Sequence, residues 1–96
     1  MTLQSPAESP AWHLYLVRMA SGNLYCGIST DVVRRFAEHS ANGPKTARAL
    51  RGRGPLTLVY QTPVGTHGDA LRAEMRVKKL ARAEKEKLIA GLRSLP

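Results

Sequence analysis

Apolar and polar positions alternate along two short stretches near the start of the chain, and such alternation predicts β-strands. The stretch LYLVRMASGNLYCG, residues 14–27, has two runs of apolar and β-forming residues on either side of a Ser-Gly-Asn segment at 21–23. Serine, glycine and asparagine are typical turn residues. The pattern therefore predicts a β-hairpin, and the rest of the chain is expected to pack around it.

The two faces of this hairpin differ because strand side chains alternate between faces. The more apolar positions are expected to point into the core: Leu14, Leu16, Leu24, Cys26 and Ile28. Tyr15 and Tyr25 then lie together on the opposite face, beside Gly27. Since glycine has no side chain, Gly27 is expected to leave room there for another group to approach the backbone.

A helix is predicted after the hairpin, from the Ser-Thr-Asp segment at 29–31 to about residue 41, before a Gly-Pro pair. Its apolar face is predicted to hold Val32, Val33, Phe36 and Ala37. A helix turns by about 100° per residue, so Arg35 and His39 fall together on one border of that face. From that border they can reach the sheet, whereas Arg34 points toward solvent.

The remaining elements complete an α/β fold of the α+β type, a three-stranded antiparallel sheet flanked by helices in the order β-β-α-(short α)-β-α-α. After the first helix they are a short helix at 45–50, a strand over Leu56–Thr62 closed by Pro63, a helix from Gly68-Asp69 to about Ala81, and a helix over Arg82–Leu92. Residues 12–92 are predicted to form one domain. Residues 1–11 are predicted to be a disordered tail, and residues 93–96 a short C-terminal tail.

Two of the helices carry charged side chains that admit two interpretations each. Arg35 and His39 either form a solvated helix face with Asp31 and Glu38, or turn a functional arginine toward the sheet. Glu74 falls inside the apolar arc of its helix, where a carboxylate needs a cation or hydrogen-bond donors. It is expected either to pair with Lys78, one helical turn later, or to face a cleft and hold a divalent metal ion.

The net charge of the chain limits the binding partners that are expected. The 96 residues contain 15 Lys and Arg against 7 Asp and Glu, a net charge of +8, which predicts attraction to a polyanion, with nucleic acid as the first candidate. The segment NGPKTARALRGRGP, residues 42–55 and here called the basic loop, contains four cations and no acid: Lys45, Arg48, Arg51 and Arg53. The loop is expected either to contact phosphates or to be merely solvated.

Other function classes are disfavoured by the sequence. It contains no Walker-type nucleotide loop, no apolar run long enough to span a membrane, and no secretory signal pattern. One cysteine rules out an internal disulfide and a cysteine-built zinc site. A cytoplasmic location is therefore expected, without membrane association.

The hairpin and the helix after it resemble the GIY-YIG nucleases, in particular the small stand-alone bacterial type. HLY at residues 13–15 and YCG at residues 25–27 are similar to the two signature triplets, with the tyrosines ten residues apart. Arg35 lies ten residues after the second tyrosine, His39 one helical turn later, and Glu74 on the helix after the third strand, as in that family. The resemblance covers about residues 12–90.

The resemblance implies a hydrolysis of phosphodiester bonds that uses a single Mg²⁺ or Mn²⁺ ion. Tyr15, assisted by Tyr25, would accept or relay the proton of an attacking water, and Arg35 would bind the scissile phosphate. His39 would assist proton transfer or hold the phosphate. Glu74 would hold the metal ion. Gly27 and the basic loop would contact nucleic acid, with DNA in a branched or single-stranded form as the first candidate and RNA left open.

The sequence departs from the family pattern in two places. His13 stands where the first signature glycine is expected, and the segment after Glu74 contains no asparagine of the kind that aligns the catalytic groups in some members. A non-enzymatic nucleic-acid-binding module on the same fold is therefore the alternative function, and an adaptor to a larger assembly is a third. No dimer signature is present, which favours a monomer.

Overall fold

A computed structural model describes residues 10–96 of the chain, so most of the tail predicted over 1–11 lies outside the described residues. Within them the elements are β1 (Trp12–Arg18), β2 (Leu24–Ser29), α1 (Val32–Ser40), a short 3-10 helix (Arg48–Leu50), β3 (Thr57–Gly65), α2 (His67–Lys78) and α3 (Arg82–Ile89). The predicted order of strands and helices is confirmed.

The three strands form one antiparallel sheet with the order β2-β1-β3, so that β1 is central. In this register Tyr15 lies directly opposite Gly27 of β2 and Gln61 of β3. The hairpin predicted from the alternation of apolar positions is therefore present, and its central strand also receives the third strand.

The end of the third strand was predicted wrongly. β3 does not stop at Thr62 but continues through Pro63 to Gly65, with Pro63 opposite His13. A proline lacks the N–H that a ladder needs, but β3 is an edge strand, and the register shifts beside this pair. Thr66 and Asp69 then form a capping box, so α2 begins at His67, where a loop was predicted.

Both faces of the sheet are covered by packed side chains. Leu14, Leu16 and Cys26 pack against Val77 of α2 and Leu88 of α3, and Tyr60 lies at the edge of this first cluster. The second cluster consists of four buried residues on the other face: Tyr15, Val17, Val32 and Leu50. The tyrosine face is therefore a second core beneath α1 and the basic loop, and not an open surface.

Helix α1 buries a different set of residues from the predicted apolar face. Asp31 caps it by accepting a hydrogen bond from the Arg34 N–H at 3.1 Å. Val33 is 74% exposed, whereas the His39 side chain is buried. The helix is thus rotated so that Val32, Phe36 and His39 face the sheet, because the group to be covered there is the Tyr15 ring.

A bidentate ion pair fastens the last helix to the central strand. Arg18 Nη1 and Nη2 donate to the two carboxylate oxygens of Glu86 at 2.9 and 2.8 Å, across 68 residues of sequence. Arg82 Nε donates to the same carboxylate at 3.0 Å. Near the end of the chain Arg93 pairs with Glu84, and Leu95 packs on the first cluster.

The Glu86 ion pair predicts a defined dependence of stability on pH. Hydrogen bonds from Arg18 and Arg82 lower the pKa of the Glu86 carboxyl from 4.5 to about 2. Because its pKa is lowered in the folded state, ionised Glu86 stabilises the fold fully above the unfolded-state pKa of 4.5. This stabilisation is lost as the pH falls from 4.5 toward 2. Wild type should therefore melt at a higher temperature than Glu86→Gln at pH 7, and the difference should shrink between pH 4.5 and 2. A difference that stays constant over this range would contradict the assignment.

Candidate active site

Tyr15 and His39 form a buried, hydrogen-bonded pair beneath α1. Both side chains are 1% exposed, and the distance from Tyr15 Oη to His39 Nε2 is 2.8 Å. β1 presents Tyr15 to this face by strand alternation, and the last turn of α1 brings His39 onto it. Two residues 24 positions apart in sequence are thus held in contact by the packing of α1 on the sheet.

Gly27 makes room for the Tyr15 ring. A Cβ atom at Gly27 would lie 2.5 Å from Tyr15 Cζ and 2.5 Å from Tyr15 Oη. The room that was predicted at Gly27 is present, and the tyrosine on the neighbouring strand fills it. Gly27 therefore acts on the site by leaving room for the Tyr15 ring.

We expect Gly27→Ala to destabilise the protein by about 1–3 kcal/mol, the usual cost of overpacking a core. The added methyl group would also displace the Tyr15 hydroxyl from His39. Gly43→Ala is the matched control, because a Cβ atom at Gly43 meets no atom within 4 Å. Thermal unfolding of both variants checks the prediction, which equal melting temperatures for the two variants would contradict.

Tyr25 completes an aromatic group with the buried pair, as the sequence predicted for the two tyrosines. Its half-buried ring lies 5.6 Å from the His39 ring and 6.5 Å from the Tyr15 ring, measured between centroids. Cys26, beside it, points to the other face. Burial raises the pKa of the Cys26 thiol to about 12, so this residue serves as an apolar core group and not as a nucleophile.

Arg35 is partly exposed and acts on both tyrosines of the aromatic group. Its Nη1 donates to Glu38 Oε1 at 2.9 Å and to the Lys45 carbonyl oxygen at 2.6 Å. Both of these hydrogen bonds use Nη1, and the guanidinium also lies close enough to Tyr15 to favour the ionised form of its hydroxyl. Arg34 points outward and pairs with the same glutamate, Glu38, at 2.8 Å.

Burial sets the protonation states of the pair. It is the largest cause of the raised pKa of Tyr15, to which neighbouring Tyr25 adds, while the Arg35 guanidinium opposes the rise. Burial also lowers the pKa of His39, and Arg35 lowers it further. At neutral pH the pair therefore consists of a protonated phenol and a neutral imidazole.

Glu74 approaches from the other side of the sheet. It is carried by α2, which packs on the first cluster, and its side chain is 21% exposed. Lys78 Nζ lies 3.3 Å from Glu74 Oε2, so the predicted pairing one turn apart is present. Burial is the largest cause of the raised pKa of Tyr25, on edge strand β2, while the charge of Arg35 opposes the rise and that of Glu74 adds to it. Tyr25 therefore lies within electrostatic reach of both the candidate metal ligand and the candidate phosphate ligand.

At this candidate site a divalent ion would be bound by one protein carboxylate, that of Glu74. Among residues 10–96, no three His, Cys, Asp or Glu side chains cluster as a metal site. Glu74 has hard carboxylate oxygens, which suit Mg²⁺ or Mn²⁺, and such ions commonly keep several waters and take oxygens from substrate phosphates. The donor set therefore fits a weakly held ion that is completed by water and substrate, and does not fit a closed structural site.

The cationic side chains of the basic loop differ in what they contact. Arg51 folds back on the loop, donating from Nε to the Thr46 carbonyl and from Nη2 to the Pro44 carbonyl, each at 3.3 Å. The side chains of Arg48 and Arg53 are exposed and meet no carboxylate in the described part of the chain. The candidate phosphate contacts are thus Lys45, Arg48 and Arg53, whereas Arg51 mainly stabilises the loop.

Sequence reasoning missed two residues of this loop. Thr46 is buried, and its hydroxyl donates to the Glu38 carbonyl at 2.8 Å and accepts from the Gly43 N–H at 2.9 Å. The Ala47 N–H donates to His39 Nδ1 at 3.3 Å. A backbone amide carries no sequence signal. The threonine did carry one, as a single short hydroxyl residue between a lysine and an alanine in an otherwise cationic segment.

Comparison with known proteins identifies the class to which this fold and site belong. Residues 11–87 match the GIY-YIG catalytic domain, and the chain therefore belongs to the GIY-YIG family. GIY-YIG domains are generally nucleases, and the family indicates nucleic acid as a partner. No helix of residues 10–96 has the length and apolar character needed to cross a membrane.

More specifically, the chain is similar to the UPF0213 proteins. It is 56% identical over 82 residues to a UPF0213 protein of Sodalis glossinidius, covering 85% of this chain and 75% of that one. It is 54% identical over 80 residues to a UPF0213 protein of Cronobacter sakazakii, covering 83% and 82% of the two chains. The solution NMR structure of UPF0213 protein BH0048 from Bacillus halodurans is 37% identical, covers 82% of each chain, and has a TM-score of 0.53.

Proposed function

We propose that this protein is a metal-dependent endonuclease that hydrolyses phosphodiester bonds in DNA, with RNA as a second possible substrate. One observation carries the proposal: Tyr15, His39 and Tyr25 are grouped on one face of the sheet, and the charges of both Arg35 and Glu74 act on the tyrosines of this group. A phosphate ligand, a group able to take a proton and a hard metal ligand are the three parts that phosphodiester hydrolysis requires.

Four residues have stated roles in this proposal. Arg35 binds the scissile phosphate through its guanidinium, since a planar guanidinium matches phosphate oxygens well. Tyr15 accepts the proton of the attacking water after its own hydroxyl proton has passed to solvent, and Tyr25 lies beside it. Glu74 holds Mg²⁺ or Mn²⁺, which supplies charge stabilisation to the phosphate and the leaving oxygen when bound. Because burial raises the pKa of Tyr15, its proton leaves only when cationic groups such as Arg35 offset the negative charge.

Substrate binding is proposed to be electrostatic. Lys45, Arg48 and Arg53 lie on a loop that packs against the site through Leu50, so their contacts to phosphates lie near the point of cleavage. Residues 10–96 carry their exposed cations on a loop, which favours recognition of backbone and shape over base sequence. Affinity should accordingly fall steeply as salt is raised.

The test is cleavage of labelled duplex, single-stranded and branched DNA and of RNA by the purified protein with Mg²⁺ or Mn²⁺. We expect products from at least one DNA substrate, and we expect a chelator to abolish them. Binding is measured in parallel by fluorescence anisotropy at two salt concentrations. The proposal is refuted if salt-sensitive binding occurs without products in either metal ion.

That refuting outcome would support the second candidate, a nucleic-acid-binding module without catalysis. Two observations favour this candidate: the missing asparagine after Glu74, and a Tyr15 phenol that burial keeps protonated. The two candidates predict similar affinity for nucleic acid and differ in turnover alone, so the cleavage assay separates them.

A further inference from the structure

The basic loop makes a contact with the catalytic pair that is independent of its charges. Ala47 N–H points at His39 Nδ1 at 3.3 Å, on the opposite side of the imidazole from Tyr15. A backbone N–H can only donate a hydrogen bond, so Nδ1 must present a lone pair to it. His39 is neutral because burial and Arg35 both lower its pKa. The single ring hydrogen of the neutral imidazole must then be on Nε2.

The direction of the Tyr15–His39 hydrogen bond follows from this placement. With the hydrogen on Nε2, His39 donates and Tyr15 Oη accepts, over the observed 2.8 Å. The hydroxyl hydrogen of Tyr15 is therefore directed away from His39. If Tyr15 loses that proton, the His39 N–H remains as a donor to the phenolate oxygen, whereas the other tautomer would face the phenolate with a lone pair.

Thr46 holds the loop where this arrangement requires it. The last carbonyls of a helix lack partners within the helix, and the Thr46 hydroxyl donates to one of them, Glu38 O, at 2.8 Å. The same hydroxyl accepts from the Gly43 N–H at 2.9 Å. Since Thr46 directly precedes Ala47, this buried threonine fixes the position of the Ala47 amide against the imidazole.

We propose that the basic loop sets the tautomer of His39: the Ala47 amide keeps Nδ1 an acceptor so that Nε2–H donates to Tyr15, and Thr46 is the positioning residue for this contact. The tautomer follows from the structure alone, while its kinetic consequence rests on the proposed nuclease function. Substrate that binds the cations of the loop would therefore contact the same segment that sets the hydrogen bond between His39 and Tyr15.

The first test needs no variant and no activity. Long-range ¹H–¹⁵N correlation spectra of ¹⁵N-labelled wild type at neutral pH report which imidazole nitrogen carries the hydrogen. The protein has 3 histidines, and the His39 signals are identified by their loss in His39→Gln. We expect the Nε2–H form, and a hydrogen on Nδ1 would overturn the proposal. An Nε2–H form in a protein that cuts nothing would support this arrangement while contradicting the proposed function.

The second test uses two changes in the loop. Thr46→Val keeps the shape but loses the hydroxyl, and Thr46→Ser restores it. We expect Thr46→Val to give a mixture of His39 tautomers and to lower kcat about tenfold with KM unchanged, the size of effect that loss of one hydrogen bond gives. Thr46→Ser should recover both. A folded Thr46→Val protein with an unaltered tautomer and kcat would overturn the role of Thr46.

A second variant covers the case in which Thr46→Val does not fold. Ala47 has φ −55° and ψ 140°, which proline can adopt, so Ala47→Pro removes the N–H with the backbone torsions of that residue unchanged. We expect its His39 to lose the preference for the Nε2–H form. Retention of that preference would show that the Ala47 amide does not set the tautomer.

Discussion

Replacing Glu74 with glutamine should lower the rate of metal-dependent cleavage by at least about 10³-fold. The glutamine keeps the size and one carbonyl oxygen of the side chain but lacks the negative charge that holds a hard cation. Residues 10–96 contain no group of three or more His, Cys, Asp or Glu side chains that could hold the ion in its place. Single-turnover cleavage rates, measured against Mg²⁺ and Mn²⁺ concentration, test this expectation.

Glu84→Gln is the matched control for that change. Glu84 is also a partly exposed helix glutamate paired with cations, Lys87 and Arg93, but it lies on α3 away from the tyrosines. Its cleavage rate should stay close to wild type. Replacement of Glu74 removes a negative charge and leaves Lys78 without this ion-pair partner, so binding of nucleic acid should not weaken. Equal cleavage by wild type and Glu74→Gln would exclude Glu74 as the metal ligand.

Replacing Arg35 with alanine should lower the cleavage rate by about 10²–10³-fold, as expected for the loss of a group that stabilises developing charge. The chain provides a strict comparison, because adjacent Arg34 pairs with the same Glu38 carboxylate but points to solvent. Arg34→Ala removes the same charge from the same helix, and should change the rate by no more than about twofold, as exposed pairs contribute little. Equal losses in the two variants would mean that Arg35 acts only through net charge.

Arg35→Lys refines this comparison. A lysine keeps the charge but loses the planar array of donors that can meet two phosphate oxygens. We therefore expect binding to be kept and the cleavage rate to fall by about tenfold or more. Restoration of the wild-type rate by lysine would show that a point charge is sufficient at this position.

Strand alternation was enough to predict which residues of the hairpin share a face, since Leu14 and Leu16 do pack together and Tyr15 does lie on the other side. It did not predict that the tyrosine face is buried as well. Whether α1 covers that face depends on contacts between elements that are distant in sequence. The rotation of α1 shows the same limit: exposed Val33 and buried His39 exchange their expected places because Tyr15 offers a hydrogen bond that valine cannot make.

The candidate site was predicted in part for similar reasons. Side chains with distinctive chemistry, such as Arg35 and Glu74, could be placed on their helices by periodicity, and the charges of both act on Tyr25. The backbone groups could not be predicted, because the amide of Ala47 and the carbonyl of Lys45 are common to every residue type. The end of β3 was predicted wrongly for another reason. A proline usually ends a central strand, but β3 is an edge strand in the sheet order, where Pro63 is tolerated.

The bond between Arg18 and Glu86 has a consequence for synthesis of the protein. The central strand is made first, yet it pairs with β3 and is fastened by Glu86 of α3, the last helix. Contacts between distant parts of a chain form only after the intervening residues are available. A nascent chain on the ribosome should therefore hold β1 incompletely partnered until almost the whole domain has emerged, and the fold should be completed after translation has passed α3.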